Sequence, residues 1–407
     1  MKPSKKKKTK WIRKRHEIIT RIAYFILYPY TRWKYGITIE RFKEQGNRQY
    51  LVLMNHQTPF DQFFVGMAFK GAIYYLATED IFSLGWLSSL LRFAVAPIPI
   101  KKQTTDIGAV KTCYRVAKEG GTIALAPEGN RTYSGRTEYM NPAIVSLAKT
   151  LKLPIALFRI EGGYGTCPRW SDVVRKGKMQ AYVAKVLEPE EYGKMSDEEL
   201  LNCIQEGLYV DEASVSGEFH HPKLAEYLER AIYVCPYCGL STFESHNHII
   251  ECKKCKRQIK YLPTKELKGE GFDFPFHFVA QWYDYQRDFV NGLDTGDYIE
   301  TPLFQDVADL SEVVINKKKL PLQKDVKIDL YGDRMILNPD SEKEMVFPFR
   351  EVTAISVLGR NKLNIYYNQK VYQLKGDKRF NALKYVNFCY RHKIICKGDK
   401  DGKFLGL

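Results

Sequence analysis

Between Gln49 and Ile160 short apolar runs alternate with amphipathic stretches, and this rhythm restricts the fold more than any other feature of the chain. YLVLMN, IYYLA, VAPIPI, GTIALA and PIALFRI have the length and apolarity of buried strands. Pro59 to Lys70, Leu84 to Phe93, Asp106 to Lys118 and Pro142 to Thr150 carry helical patterns between them. A helix-length crossover returns the chain to the same end of a sheet, so the fold class is α/β, a mainly parallel central sheet with flanking helices. QAYVAKVL adds a strand. SDEELLNCIQEGLYVDEA adds a helix, with Ser196 as N-cap and Glu199 completing a capping box. The first globular domain is read as residues 41–231.

The 407 residues suffice for two or three domains, and a hydrophobic content of 44% excludes a disordered chain. A formal charge of +16 calls for an anionic partner: a nucleic acid, an anionic membrane surface or a phosphorylated substrate. Residues 1–40 concentrate that charge at Lys2, Lys5, Lys6, Lys7, Lys8, Lys10, Arg13, Lys14 and Arg15, ahead of an apolar-aromatic stretch from Ile18 to Tyr30. Arg21 interrupts the stretch, and Ile22 to Tyr30 falls far short of the ~20 residues a membrane span needs. No small-residue cleavage site follows, which reads against a signal peptide. Trp11, Tyr24, Phe25, Tyr28, Tyr30 and Trp33 suit a lipid headgroup boundary beside lysines that anionic lipids attract. The expectation is an amphipathic helix on a membrane surface; the plain alternative is a basic tail leading into a core helix.

CPYCGLSTFESHNHIIECKKCKRQIKYLP contains two C-x2-C knuckles, Cys235/Cys238 and Cys252/Cys255. Each knuckle offers two sulfurs from one tight turn, so the four predict a zinc ribbon over residues 232–263 holding one structural Zn²⁺. His246 and His248 between the knuckles are read as exposed. The remaining cysteines, Cys113, Cys167, Cys203, Cys389 and Cys396, are scattered and odd in number, which fits a reducing compartment. Residues 264–298, with HFVAQWYDYQRDFVNGL, read as a helical linker. Residues 299–407 read as successive strands closed by one amphipathic helix, with Gly332-Asp333 and Asn368-Gln369 at hairpin turns. That pattern resembles a pleckstrin-homology or GRAM-like β-barrel with its capping helix.

MNHQTPFDQF, from Met54 to Phe63, places His56 and Asp61 just past a strand. One reading has Thr58 capping a helix that begins at Pro59, with the ionisable pair merely flanking it. A second polar constellation, APEGNRTYSGR, leaves the end of GTIALA with Glu128, Gly129 and Arg131. Ligands bind at the C-terminal ends of parallel strands, so both motifs are expected to face one crevice. The motifs resemble those of the glycerolipid acyltransferase family that includes 1-acyl-glycerol-3-phosphate acyltransferases. Asn55, His56 and Asp61 match its N-H-x4-D motif; Pro127, Glu128, Gly129, Arg131 and Thr132 match F-P-E-G-T-R-S; Pro154 in LKLPIALFRI matches an apolar stretch around a proline. Ala126 replaces the usual phenylalanine and Asn130 the usual threonine. The second motif carries Ile98, Ile100, Lys101 and Lys102, with Lys101 where aspartate is common.

The resemblance, over roughly the first half of the chain, implies transfer of a fatty acyl group from a thioester, acyl-CoA or acyl carrier protein, to lysophosphatidic acid, giving phosphatidic acid. His56 is then the general base and Asp61 fixes its tautomer, with no acyl-enzyme. Arg131 with Lys101 or Lys102 holds the acceptor's phosphate, Glu128 organises Arg131 and its loop, Gly129 lets the backbone turn closely past substrate, and Asn55 joins the substrate-binding set. Another lysophospholipid or glycerol 3-phosphate is the alternative acceptor. The enzyme is expected at the cytoplasmic face of the cell membrane, peripheral or monotopic, with membrane phospholipids as partners. A zinc-ribbon nucleic-acid-binding protein is the reading from another class; no glycine-and-aromatic RNA-binding motif is present, so no nucleic acid partner is expected. A catalytically silent lipid-binding scaffold is a third reading, and the intact His56/Asp61 pair argues against it.

Overall fold

Leu51, Val52 and Leu53, like Ile155 through Phe158, are wholly buried, as strands covered on both faces must be. In a computed structural model, which describes residues 10–78, 81–82, 86–100, 106–314 and 319–398, these two runs lie at the centre of a seven-stranded sheet. Its chain order is α1 (Lys14–Tyr35), β1 (Ile37–Ile39), β2 (Leu51–Met54), α2 (Asp61–Ala68), β3 (Ile73–Thr78), α3 (Trp86–Ala94), β4 (Ile98–Ile100) and α4 (Ile107–Lys118). There follow β5 (Thr122–Leu125), α5 (Ala143–Leu151), β6 (Ile155–Glu161), a short α6 (Gly163–Thr166), β7 (Met179–Leu187), α7 (Pro189–Tyr192) and α8 (Asp197–Leu208). The spatial order is β1-β7-β6-β2-β5-β3-β4, with β6–β7 antiparallel and the other neighbours parallel. The Ser196–Glu199 capping box forms at the start of α8.

Alternate residues of the central strands serve two apolar layers. Leu51, Leu53, Ile123 and Ile155 pack under α4, α5 and α8, whereas Val52, Met54, Ala124 and Ala156 pack against α2 and β1. β1 falls inside the segment expected to be only membrane-associating, so the sheet starts earlier than the sequence suggests. Among the described residues no helix is long and apolar enough to cross a membrane.

The knuckle segment forms β8 (Val234–Cys235) with β9 (Gly239–Leu240), then a meander of β10 (Phe243–His246), β11 (Ile249–Cys252), β12 (Gln258–Tyr261) and β13 (Leu267–Gly269). β13 pairs with β12, so the stretch expected as a purely helical linker first completes the ribbon's sheet and only then forms α9 (Val279–Gly292). The C-terminal region is a second seven-stranded sheet, curled and wholly antiparallel. Its strands are β14 (Phe304–Glu312), β15 (Leu320–Leu330), β16 (Arg334–Leu337), β17 (Met345–Pro348), β18 (Ala354–Leu358), β19 (Lys362–Tyr367) and β20 (Lys370–Gly376). They lie in the order β17-β16-β15-β14-β20-β19-β18, followed in the chain by α10 (Leu383–Cys396). Ribbon, α9 and this sheet share one apolar core, which Tyr133, Tyr164 and Trp170 enter from the first domain.

Candidate active site

His56 leaves the C-terminal end of β2, and Asp61 is the first residue of α2, where a carboxylate is favoured by the helix's unpaired N–H groups. His56 Nδ1 donates to Asp61 Oδ2 at 2.8 Å. The same carboxylate accepts Gln57 N–H at 2.7 Å, Thr58 N–H at 2.9 Å and the Thr58 hydroxyl at 2.6 Å. Asp61 is fully buried, so these donors replace the water it has lost. The reading of Thr58 as cap of a helix starting at Pro59 is corrected: α2 starts two residues later, and Thr58 donates to Asp61. With Nδ1 committed, Nε2 carries the lone pair and has no hydrogen-bond partner among the described residues. The imidazole is 23% exposed.

The loop after β5 grips the backbone of His56. Glu128 accepts His56 N–H at 2.8 Å with one oxygen and Glu138 N–H at 2.9 Å with the other, while Thr132 N–H donates to the His56 carbonyl at 3.2 Å. Burial pushes the Glu128 carboxyl up to about 8, and the two N–H donors pull the other way. Glu128 therefore organises the histidine peptide and the loop, which corrects the expectation that it organises Arg131. Gly129 has φ +69° and open space where a Cβ would stand, so its role is the left-handed turn itself.

Asn55, expected in the substrate-binding set, is held by the neighbouring strand. Its side chain spans to β6, donating to the Ile160 carbonyl and accepting Ile160 N–H, both at 2.8 Å, and so acts as a strand rung beyond the end of β2. Arg131 donates through Nε to the Gln57 carbonyl at 3.0 Å and through Nη2 to the Cys167 carbonyl at 2.6 Å. Its Nη1 has no partner among the described residues. Lys101 and Lys102 lie outside the described residues.

Several positioning residues escaped the sequence reading. Gln57 Oε1 accepts Tyr164 N–H at 2.7 Å, tying the His56 loop to the turn after β6. That turn needs Gly162: φ is +78°, and a Cβ would stand 2.3 Å from the Lys178 carbonyl oxygen. Arg169 donates to the Arg131 carbonyl at 2.9 Å and to the Val357 carbonyl, in β18, at 3.2 Å. Asp172 pairs with Arg230 at 2.7 Å and with Arg360, in the β18–β19 turn, at 3.3 Å. No local pattern marks these residues, since each one's partner lies sixteen or more positions away in the sequence, several of them in another domain.

The geometry joins an oriented imidazole, a buried carboxylate and an arginine cluster at the ends of parallel strands. The Acyltransferase family model matches residues 37–160, the segment that carries these groups. Residues 37–160 are an acyltransferase-family domain. A curated relative, the 1-acyl-sn-glycerol-3-phosphate acyltransferase of Bacillus subtilis (strain 168), is 23% identical over 136 residues, or 33% of this chain. The match spans 65% of that relative's length. A solved structure, the 1-acyl-sn-glycerophosphate (LPA) acyltransferase PlsC from Thermotoga maritima, is 20% identical with a TM-score of 0.37, covering 47% of this chain and 75% of that one.

Outside the acyltransferase domain, Cys235, Cys238, Cys252 and Cys255 converge with all Sγ atoms within 4.8 Å of one another. Cys235–Cys255 and Cys238–Cys252 are 3.9 and 4.0 Å apart, too long for disulfides and close to the ~3.8 Å that tetrahedral Zn–S bonds of ~2.3 Å impose. The donor set fits a closed four-thiolate site. His246 is exposed and pairs with Glu244, outside this set.

Proposed function

We propose that the chain is an O-acyltransferase that moves a fatty acyl group from a thioester to the free hydroxyl of 1-acyl-glycerol-3-phosphate. The observation that carries this reading is the His56–Asp61 pair, which leaves Nε2 without a partner among the described residues, with Arg131 bonded to the carbonyl of the next residue, Gln57. Nε2 takes the acceptor's hydroxyl proton as the oxygen attacks the thioester carbonyl. Asp61 stabilises the imidazolium that forms. The C–S bond then breaks, the ester remains on the acceptor, and the imidazolium returns its proton to the departing thiolate. Arg131 offers Nη1 to the acceptor phosphate, with Lys101 or Lys102 as further cations. Another lysophospholipid or glycerol 3-phosphate is the alternative acceptor, and acyl-CoA or acyl carrier protein the donor.

In the same reading one structural Zn²⁺ is held by the four cysteines, which supplies folding energy and no chemistry. Residues 1–40 attach the protein to the cytoplasmic face of the cell membrane, where acceptor and product reside. The order β17-β16-β15-β14-β20-β19-β18 with α10 supports a pleckstrin-homology-like module over residues 299–407. The domain limits proposed are those read from the sequence, 41–231 and 232–263, with β1 added to the first and β13 to the second, followed by a connector to 298. Mass spectrometry of products from the purified chain, given a panel of lysolipids with both donors, is the test. Acylated lysophosphatidic acid is expected; no acylated product from any acceptor would sink the reading.

A further inference from the structure

α3 is amphipathic in the inverted sense. Trp86, Leu87, Leu90 and Phe93, spaced three and four apart on one helical face, are all exposed, Trp86 at 78%, whereas Ser88 is buried and donates to the Ile81 carbonyl at 2.7 Å. A helix packed only on its own protein turns the other way. α1 repeats the arrangement: Ile18, Ile22, Phe25, Ile26 and Trp33 face out, while His16 and Thr31 are buried. The two helices are joined by Arg15 Nε, which donates to the Phe93 carbonyl, and their flanking residues by Trp11 Nε1, which donates to the Ala96 carbonyl, each at 3.1 Å. The Arg15 guanidinium lies 4.1 Å above the Phe93 ring. Scattered apolar residues on a surface are ordinary; two linked helices presenting nine large ones are not.

We infer that α3 is a second lipid-inserting element, which enters one leaflet of an anionic bilayer beside α1. Charge chooses the occupant. Lys10 to Lys34 contains seven basic residues against the single acid Glu17, and Trp86 to Ile100 contains Arg92 and no acid. A second copy of this chain would bring the same positive charge to the contact, whereas anionic headgroups neutralise it. Apolar side chains enter the acyl region, and Arg15, Arg21 and Arg92 stay at headgroup level. This goes beyond the acyl-transfer reading and does not depend on it, because the argument uses no residue of the His56 site.

The test uses the full chain and vesicles of phosphatidylcholine with phosphatidylglycerol. Trp86→Glu/Leu90→Glu should lower vesicle affinity at least about tenfold at an unchanged melting temperature. What binding remains should be weakened further by high salt without vanishing, because α1 keeps both its cations and its apolar face. A measurement that needs no folded double variant runs beside it: lipids brominated on their acyl chains should quench tryptophan fluorescence, and Trp86→Phe should remove part of the quenched signal. Native flotation of the double variant overturns the inference, as does quenching that Trp86→Phe leaves unchanged. So does a native dimer that the double variant dissociates while still floating. Turnover of a short-chain, water-soluble acceptor should be equal in native and double-variant chains; if no acceptor of the lysolipid panel is acylated by either, acyl transfer is refuted while the vesicle arms still decide the role of α3.

Discussion

Asp61 and Cys252 are both fully buried, yet their surroundings hold them by different means. Asp61 sits in a shell of donors, from His56, Gln57 and Thr58, that a chain segment of six residues supplies to itself. Cys252 belongs to a continuous apolar core that runs from Trp170 through the ribbon to Phe388, and its polar neighbours are Ser241 and the facing thiol of Cys238. The first arrangement fixes a proton's position locally and tolerates distant change. The second has little local structure of its own and depends on packing and, in the proposed reading, on a metal.

The largest expected effect is therefore on the ribbon. Zinc binding to such a site supplies roughly 10 to 16 kcal/mol of apparent folding free energy, so Cys252→Ser should abolish stoichiometric zinc in elemental analysis and lower the melting temperature sharply. Acyl transfer should survive in part. A zinc-free native protein would remove the site, and complete loss of turnover in a still-folded variant would put the metal in the chemistry.

Next come the two members of the polar pair, which should separate rate from stability. His56→Ala removes the proton acceptor and one donor to Asp61, so it should cut turnover by about 10² to 10⁴ and lower the denaturation midpoint less than Asp61→Asn does. Asp61→Asn turns an amide NH2 toward the Gln57 and Thr58 donors, so it should slow turnover and also cost on the order of 3 kcal/mol in a urea melt. Equal stability loss in both variants would mean that the histidine, and not the Gln57 and Thr58 donors, carries the stability of the shell.

The smallest effect concerns pH. Burial raises the carboxyls of Glu128 to about 8 and Glu212 to about 7, from an ordinary 4.5. A carboxyl raised in the folded state contributes stability that is complete below 4.5 and lost as pH climbs to its folded value, so the urea midpoint should decline between those limits. Glu128→Gln should flatten that decline and lower the midpoint throughout, because Glu138 N–H then meets an amide donor. A native midpoint that holds steady across this range would leave the two N–H donors, rather than burial, in command of Glu128.

Much of the frame was legible because each strand of the first domain is a short apolar run bounded by polar residues, and because C-x2-C spacing has few uses. The His56–Asp61 contact was legible because only four residues separate the two and one of them is a proline. The partners of Asn55, Glu128 and Arg131 were not. All three bond to backbone groups, at Ile160, His56, Glu138, Gln57 and Cys167, and a peptide N–H or carbonyl looks the same under every side chain. β1 and β13, three residues each, were missed because such a length carries no periodicity.

The seating of β7 separates what is inherited from what folds. β1, at the start of the family match, has β7 as its sole neighbour in the sheet, and β7 also covers the edge of β6 although it begins nineteen residues past the last matched position. An expression fragment cut at residue 160 would leave β1 with no strand to join and β6 with an open edge, the template on which chains aggregate. The recognisable stretch is thus a lineage marker rather than an autonomous body, and any transplant or deletion library built on this chain has to carry its breakpoints beyond Leu187.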